Sequence, residues 1–323
     1  MIINREKLIF SHSKMKYGEK IMTDSEKVYS LLNDFMFKFV FGRKTHEHLT
    51  IKLLNSLLKL DGNNLIEELE FLNPFNEKDY KDDKLSIVDT RVRDSSSKYY
   101  NIEIQSRRQR SFIKRFAYYT AKMFSSQLDY SDKYDNLHST IGVALLGFDL
   151  FPNSKGIDET FSFKNKNSDI ILKDIIEMHF ISLTKSPHTD DLKNMTSFDK
   201  WVFFLYNSDR YAKLGTKLPI ELESEEYMQE ITDYLQQANS DRELRELMRD
   251  RERFLIDQHL DRVDSYEEGI EEGLEKGLEK GREEGREEGI KNIIRMMLSN
   301  GVTKETILKQ TGLSNEEYER LIN

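Results

Sequence analysis

Two strand-like runs, residues 85–93 and 99–105, meet across the polar turn Asp94-Ser95-Ser96-Ser97-Lys98, and no other stretch restricts the fold as strongly. β-Branched and aromatic residues on either side of a loop of small polar residues signal a β-hairpin. In the second run Tyr100, Ile102 and Ile104 alternate with Asn101, Glu103 and Gln105. That period of two places Glu103 and Gln105 on one strand face and the apolar residues on the other. Asp89 lies in the partner run among Ile87, Val88 and Val92. A carboxylate inside an apolar strand is costly unless something compensates it. A metal ion does so and a solvated strand face does too, and the pattern alone allows both readings.

On the first reading, Asp89 and Glu103 hold a hard cation. Mg²⁺ takes oxygen ligands, keeps several waters and is usually bound by one or two carboxylates. A metal so placed acidifies a bound water and polarises a phosphoryl oxygen, the chemistry of phosphodiester cleavage. The following segment carries Arg107, Arg108, Arg110, Lys114, Arg115 and Lys122, with no acid between Ile104 and Leu128. Such a patch suits a phosphate backbone, although it equally describes a solvated helix face.

Three stretches carry a family resemblance: NDFMFKFVFG at 33–42, the V-D…NIEIQ core with Val88, Asp89, Glu103 and Gln105, and RFAYYTAKMFSSQL at 115–128. Together they resemble the PD-(D/E)XK nuclease superfamily and, more narrowly, the Rpn-type recombination-promoting nucleases, also described as transposases of that superfamily. The likeness spans about residues 30 to 210. It implies a metal-dependent DNA endonuclease with an α/β restriction-endonuclease-like core, a mixed central sheet flanked by helices. By resemblance Asp89 and Glu103 match the metal-binding acids, and Mg²⁺, or Mn²⁺ in its stead, is the implied ion. Val88 replaces the proline of the motif, and Gln105 stands where lysine is usual. An uncharged amide is able to orient the attacking water but not to stabilise developing negative charge as lysine does. The family motif also places Asp34 near the cleft as a further acid. Asp34 and Lys38 are four apart on one helical face, so a plain intrahelical ion pair is the competing expectation.

The net charge of −9 speaks against nucleic acid only until its distribution is read. Residues 240–323 hold 15 basic and 22 acidic residues, leaving a nearly balanced 34 and 36 in the rest. Local potential decides phosphate binding. The absence of cysteine rules out disulfides and thiolate metal sites and fits a reducing, cytoplasmic setting. No apolar run has signal-peptide or membrane-span length, so no membrane is expected.

Along the chain, residues 1–23 read as a lead. A helix signal begins near Asp24, with Leu31, Leu32, Phe35, Phe39 and Val40 at near-helical spacing, and a second runs from His46 to about Leu60. Residues 70–74 suggest a short strand. Phe112, Phe116, Tyr119 and Met123 form a helical stripe expected in the core, with Arg115 and Tyr119 reaching the catalytic face. Residues 138–148 and 177–183 read as buried strands, and the aromatic stretch 197–207 closes the core. His46 and His48, two apart on a helix, point in different directions and are dismissed as ligands. The nuclease-like domain is placed at 24–220.

Beyond it the sequence predicts an all-helical extension: a charged segment at 221–290 and a small helix-turn-helix-like module at 291–323. Gly269, Gly273, Gly277, Gly281, Gly285 and Gly289 recur every fourth residue. Six interior glycines cost about 5–6 kcal/mol of helix propensity relative to alanine. Either a close partner offsets this or the segment is a half-helical linker. Because four residues advance about 400°, the stripe drifts around the axis, and only a wrapped partner follows it. In the last module, Ser314 and Glu317 make a capping box, while Glu316, Glu317 and Glu319 disfavour a DNA-reading role.

The resemblance, with a residue chemistry that permits it, implies a Mg²⁺-dependent DNA endonuclease of recombination, transposition or defence. Asp89 and Glu103 are its metal ligands, with Gln105 and Asp34 beside them. Arg107, Arg108, Arg110, Lys114 and Arg115 grip DNA, and the tail pairs copies into a homodimer. The alternatives are a catalytically silent DNA-binding or regulatory protein, and an oligomeric scaffold acting through the tail.

Overall fold

The computed structural model describes residues 27–73, 89–187 and 192–322. The lead at 1–23 and the opening of the first hairpin strand, residues 85–88, lie outside the described residues. The chain divides into two units, one ending at Glu252 and one beginning at Arg253.

Among the described residues the first helix of this unit is α1 (Asp34–Phe41), capped by the Asn33 side chain, which accepts from the Met36 amide. Of the helix expected from near Asp24, the described residues, from 27 onward, are helical only from Asp34; Leu31 and Tyr29 before it are buried without being helical. A tertiary anchor explains this, since the Leu31 amide donates to Ser208 Oγ and the Tyr29 amide to Asn239 Oδ1. Helix α2 (Glu47–Leu57) follows, then strand β1 (Leu69–Phe71). Next come β2 (Asp89–Asp94) and β3 (Tyr99–Gln105), the expected hairpin. Its turn is closed by Asp94, whose Oδ1 accepts from the Lys98 amide while Oδ2 accepts from the Tyr100 hydroxyl. Helix α3 (Phe112–Ser125) leads to β4 (Thr140–Leu146), β5 (Asp158–Ser162) and β6 (Ile176–Ser182).

The strands form one mixed sheet in the order β1-β2-β3-β4-β6-β5. β3, β4 and β6 run parallel, and the edges are antiparallel. Edge strand β5 was not anticipated. Its pattern, Asp-Glu-Thr-Phe-Ser, lacks a continuous apolar face, and pairing with β6 rather than propensity holds it.

The sheet is covered on both faces. Tyr100, Ile102, Ile104, Val143, Leu145 and Ile181 point into one core with α1, α2 and the aromatic helix α4 (Ser197–Tyr206). Trp201 is fully buried there. Helix α5 (Met228–Ser240) joins this core through Met228, Ile231, Leu235 and Ala238, so residues past 220 contribute to it rather than opening a charged tail. On the opposite face α3 packs Phe112 and Phe116 against Ala144, Leu146 and Phe180. Each such fully buried aromatic contributes roughly 1.5–3 kcal/mol. Tyr119 departs from the expected stripe: it is exposed, and Thr120 occupies the buried position. A Cβ at Gly142 of β4 would lie 2.8 Å from Phe116 Cζ and 2.9 Å from Thr120 Oγ1. Helix α3 is therefore seated directly on the sheet backbone, which fixes the height of its side chains above β3.

Helix α6 (Arg242–Ser299) is 58 residues long. Within the second unit its last turns pack Ile294 against Ile307 of α7 (Lys304–Thr311) and Tyr318 and Leu321 of α8 (Asn315–Ile322). Gly312, at φ 71°, ends α7, and the Ser314–Glu317 capping box forms reciprocally, at 2.8 and 3.2 Å. The glycine repeat is helical, with nothing within 4 Å of a Cβ at any of its six glycines. The half-helical linker is thus not the form this segment takes.

Candidate active site

Asp89 stands directly opposite Glu103 in the antiparallel register of β2 and β3. Side chains at opposed positions share a face, with Cβ atoms about 4.5–5.5 Å apart. The face they share is the one covered by α3, because the alternate residues Tyr100, Ile102 and Ile104 enter the other core. Glu103 is buried at 3% exposure and Gln105 at 9%, so the solvated-face reading of the pattern fails.

Each acid is met by an arginine. Arg115 of α3 reaches down from the helix, Nη2 lying 2.6 Å from Glu103 Oε1 and 2.9 Å from Gln105 Oε1. Its Nη1 donates to Gln109 Oε1 at 2.6 Å. Arg91, two residues after Asp89 on the same strand face, donates to Asp89 Oδ2 from Nε at 2.8 Å. Asp34 accepts from Arg251 Nη2 at 3.0 Å and Nε at 3.2 Å. It does not take the expected partner, because Lys38 turns the other way and donates from Nζ to the Asp89 backbone carbonyl at 2.9 Å. Asn73 donates to that same carbonyl and accepts from the Arg91 amide, pinning the start of β2.

Electrostatics follow from burial. Desolvation pushes the Glu103 carboxyl above the usual carboxylate range, Arg115 pulls it back, and the charges of Asp89 and Asp34 push it up again. Glu103 therefore senses both of the other acids. Burial likewise lowers the Lys38 ammonium to about 8, against the attraction of Asp89 and with the repulsion of Arg91.

Gln105 is engaged at both ends of its amide: Oε1 accepts from Arg115, and Nε2 donates to the Arg107 carbonyl at 3.0 Å. Arg107, Arg108, Arg110 and Lys114 are exposed at and before the start of α3, and none pairs with an acid among the described residues. Tyr119 is exposed, its ring edge-on to that of Tyr118. His46 Nδ1 donates to the Val40 carbonyl, and His48 Nε2 donates to the Glu230 carboxylate. Sequence reasoning missed three members of this constellation. Arg91 was visible as a same-face neighbour of Asp89, and Lys38 was read only as a partner for Asp34. Arg251, 217 residues from Asp34, left no local signal.

Among the described residues no three His, Asp or Glu side chains gather as a metal cage. The donor set nonetheless fits a divalent ion held by few protein ligands. Asp89 and Glu103 supply two hard oxygens on one face, and the desolvation of Glu103 favours a cation beside it.

A six-stranded mixed sheet flanked by helices, with an opposed acid pair on the central hairpin, defines a PD-(D/E)XK-like α/β protein. The family model described as PD-(D/E)XK nuclease family transposase matches residues 31–262, and the chain belongs to that family. Membership supports a nuclease or transposase-like role, implies DNA as substrate, and brings a family whose nucleases generally use divalent metal ions. A second, short match, residues 265–296, is to the N-terminal region of the essential protein Yae1 and coincides with the glycine repeat. Searches of curated proteins and of solved structures give no match. Among the described residues no helix is long and apolar enough to cross a membrane.

Proposed function

We propose that this chain is a Mg²⁺-dependent DNA endonuclease, with Mn²⁺ as the substitute ion. The observation that carries the reading is the register of Asp89 against Glu103 on a buried sheet face, beside an exposed run of arginines. Asp89 and Glu103 would hold the ion, which when bound acidifies a water and polarises the scissile phosphate. Arg107, Arg108, Arg110 and Lys114 would hold the backbone, where neutralised phosphates supply affinity without sequence choice. Lys38 and Asn73 fix the Asp89 carbonyl and so hold the start of β2 in place. Asp34 adds negative charge near the pair and is itself anchored by Arg251. Two sites brought together by the charged tail would address two strands, a dimer compatible with recombination, transposition or defence in a cytoplasmic setting.

Plasmid cleavage by the purified chain, beside Asp89→Ala, with Mg²⁺ and with EDTA, tests this. Metal-dependent nicking lost in the variant is expected; cleavage that persists in Asp89→Ala would refute the residue assignment. A catalytically silent DNA-binding protein is the second reading, favoured by the arginine already seated on each acid. DNA binding without metal-dependent cleavage would establish it instead.

A further inference from the structure

All three acids of the site are paired with guanidinium groups, but the three pairs are not alike. Arg251 is buried at 3% of its side chain and belongs to the helical packing around Asp34. Arg91 comes from the same strand as the acid it holds. Arg115 is different: 31% of its side chain is exposed, and it hangs from α3 just after the exposed cations Arg107, Arg108, Arg110 and Lys114. One of its nitrogens bridges Glu103 Oε1 and Gln105 Oε1, two oxygens presented by alternate residues of one strand face, the face that also carries Asp89.

We propose that Arg115 is a displaceable counter-ion: it occupies the oxygens of Glu103 and Gln105 until a divalent cation takes them, and then turns to a DNA phosphate. Gln105 has a different part here from a water-orienting one. Its amide, fixed by the Arg107 carbonyl, is the second oxygen of the seat that Arg115 vacates. A guanidinium and a hard cation compete for the same carboxylate oxygen, and a buried carboxylate requires one or the other. Phosphate, in turn, matches the guanidinium fork bidentately. Ion and DNA are therefore coupled through one side chain, and the coupling is reciprocal by linkage. The inference rests on the metal-dependent reading above, but its test reads ion binding rather than cleavage.

Calorimetric titration of Mn²⁺ into the full chain at pH 8 compares wild type with Arg115→Ala, Arg115→Lys and Glu103→Gln. Removing the competitor is expected to tighten Mn²⁺ binding at least about tenfold in Arg115→Ala. Arg115→Lys, too short and singly pointed to bridge both oxygens, should lie between and keeps the test open if the alanine variant misfolds. A phosphorothioate duplex should tighten Mn²⁺ binding in wild type and leave it unchanged in Arg115→Ala. If Arg115 merely orients Glu103 for the ion, its removal weakens Mn²⁺ binding, as loss of outer supports typically does by 10–100-fold. Weaker or equal binding, with Glu103→Gln still impaired, would overturn the role of Arg115 and leave the metal reading standing. Binding indifferent to both residues overturns the two together. The expected pattern in a chain that cuts no plasmid would support the counter-ion and refute the nuclease.

Discussion

Arg251 holds Asp34 across 217 residues of chain, through two nitrogens that converge on one carboxylate oxygen. It ties the start of α6 to the first turn of α1, next to the acid pair. Removing one partner of a buried pair leaves the other charge uncompensated, at about 3–5 kcal/mol. Arg251→Ala is expected to lower unfolding stability by about that amount in urea titration, whereas Asp34→Asn with Arg251→Met should recover much of it. Recovery of stability without recovery of cleavage would separate the structural part of Asp34 from a catalytic one.

The seating of α3 on Gly142 yields a second prediction. An added methyl at 2.8 Å from Phe116 forces the helix outward, and overpacking of this kind costs typically 1–3 kcal/mol. Gly142→Ala should therefore destabilise the chain in thermal melts. It should also weaken the reach of Arg115, one residue before Phe116 on the same helix, to Glu103, so that Mn²⁺ binding tightens in calorimetric titration as it does in Arg115→Ala.

His179 gives a pH signature. Burial alone would lower it, but hydrogen bonds to Asp158 and Glu177, together with their charges, outweigh burial and raise it to about 9. A histidine raised in the folded state contributes stability that is complete below about 6.5 and is lost as pH rises through 9. The contribution is at most roughly 3 kcal/mol. Lys38 works in the opposite sense, since an ammonium lowered to about 8 favours the folded state increasingly from pH 8 upward. The comparison that isolates the histidine is His179→Gln against wild type, both retaining Lys38. Denaturation between pH 6 and 10 should show wild type losing its advantage over the variant across that window; a constant difference would exclude the ion cluster as its source.

The glycine repeat supports a prediction of the opposite direction. Nothing lies within 4 Å of a Cβ at Gly273, Gly277 or Gly281. Alanine at all three should then stabilise the helix by about 0.8–1.0 kcal/mol each, seen as increased helicity on heating by circular dichroism. A loss of helicity on substitution would mean that another chain approaches through the stripe.

The sequence determined what is local. Alternation set the faces of β3, the Asp94 turn set the hairpin, and the hairpin set Asp89 opposite Glu103, so the acid pair was readable before any coordinates. The aromatic stretch 197–207 pointed to the core that α4 fills, though not to its helical form, and Ser314 with Glu317 gave the start of α8. Tertiary structure decided the partners. Asp34 paired with Arg251 and not with Lys38, four residues away, because Lys38 is drawn to a carbonyl of β2. Arg115 settled on Glu103 because Gly142 lets α3 sit low on the sheet, and β5 became a strand because β6 offered it an edge. Backbone period fixes which way a side chain points, whereas the charge it meets there depends on packing between segments far apart in sequence.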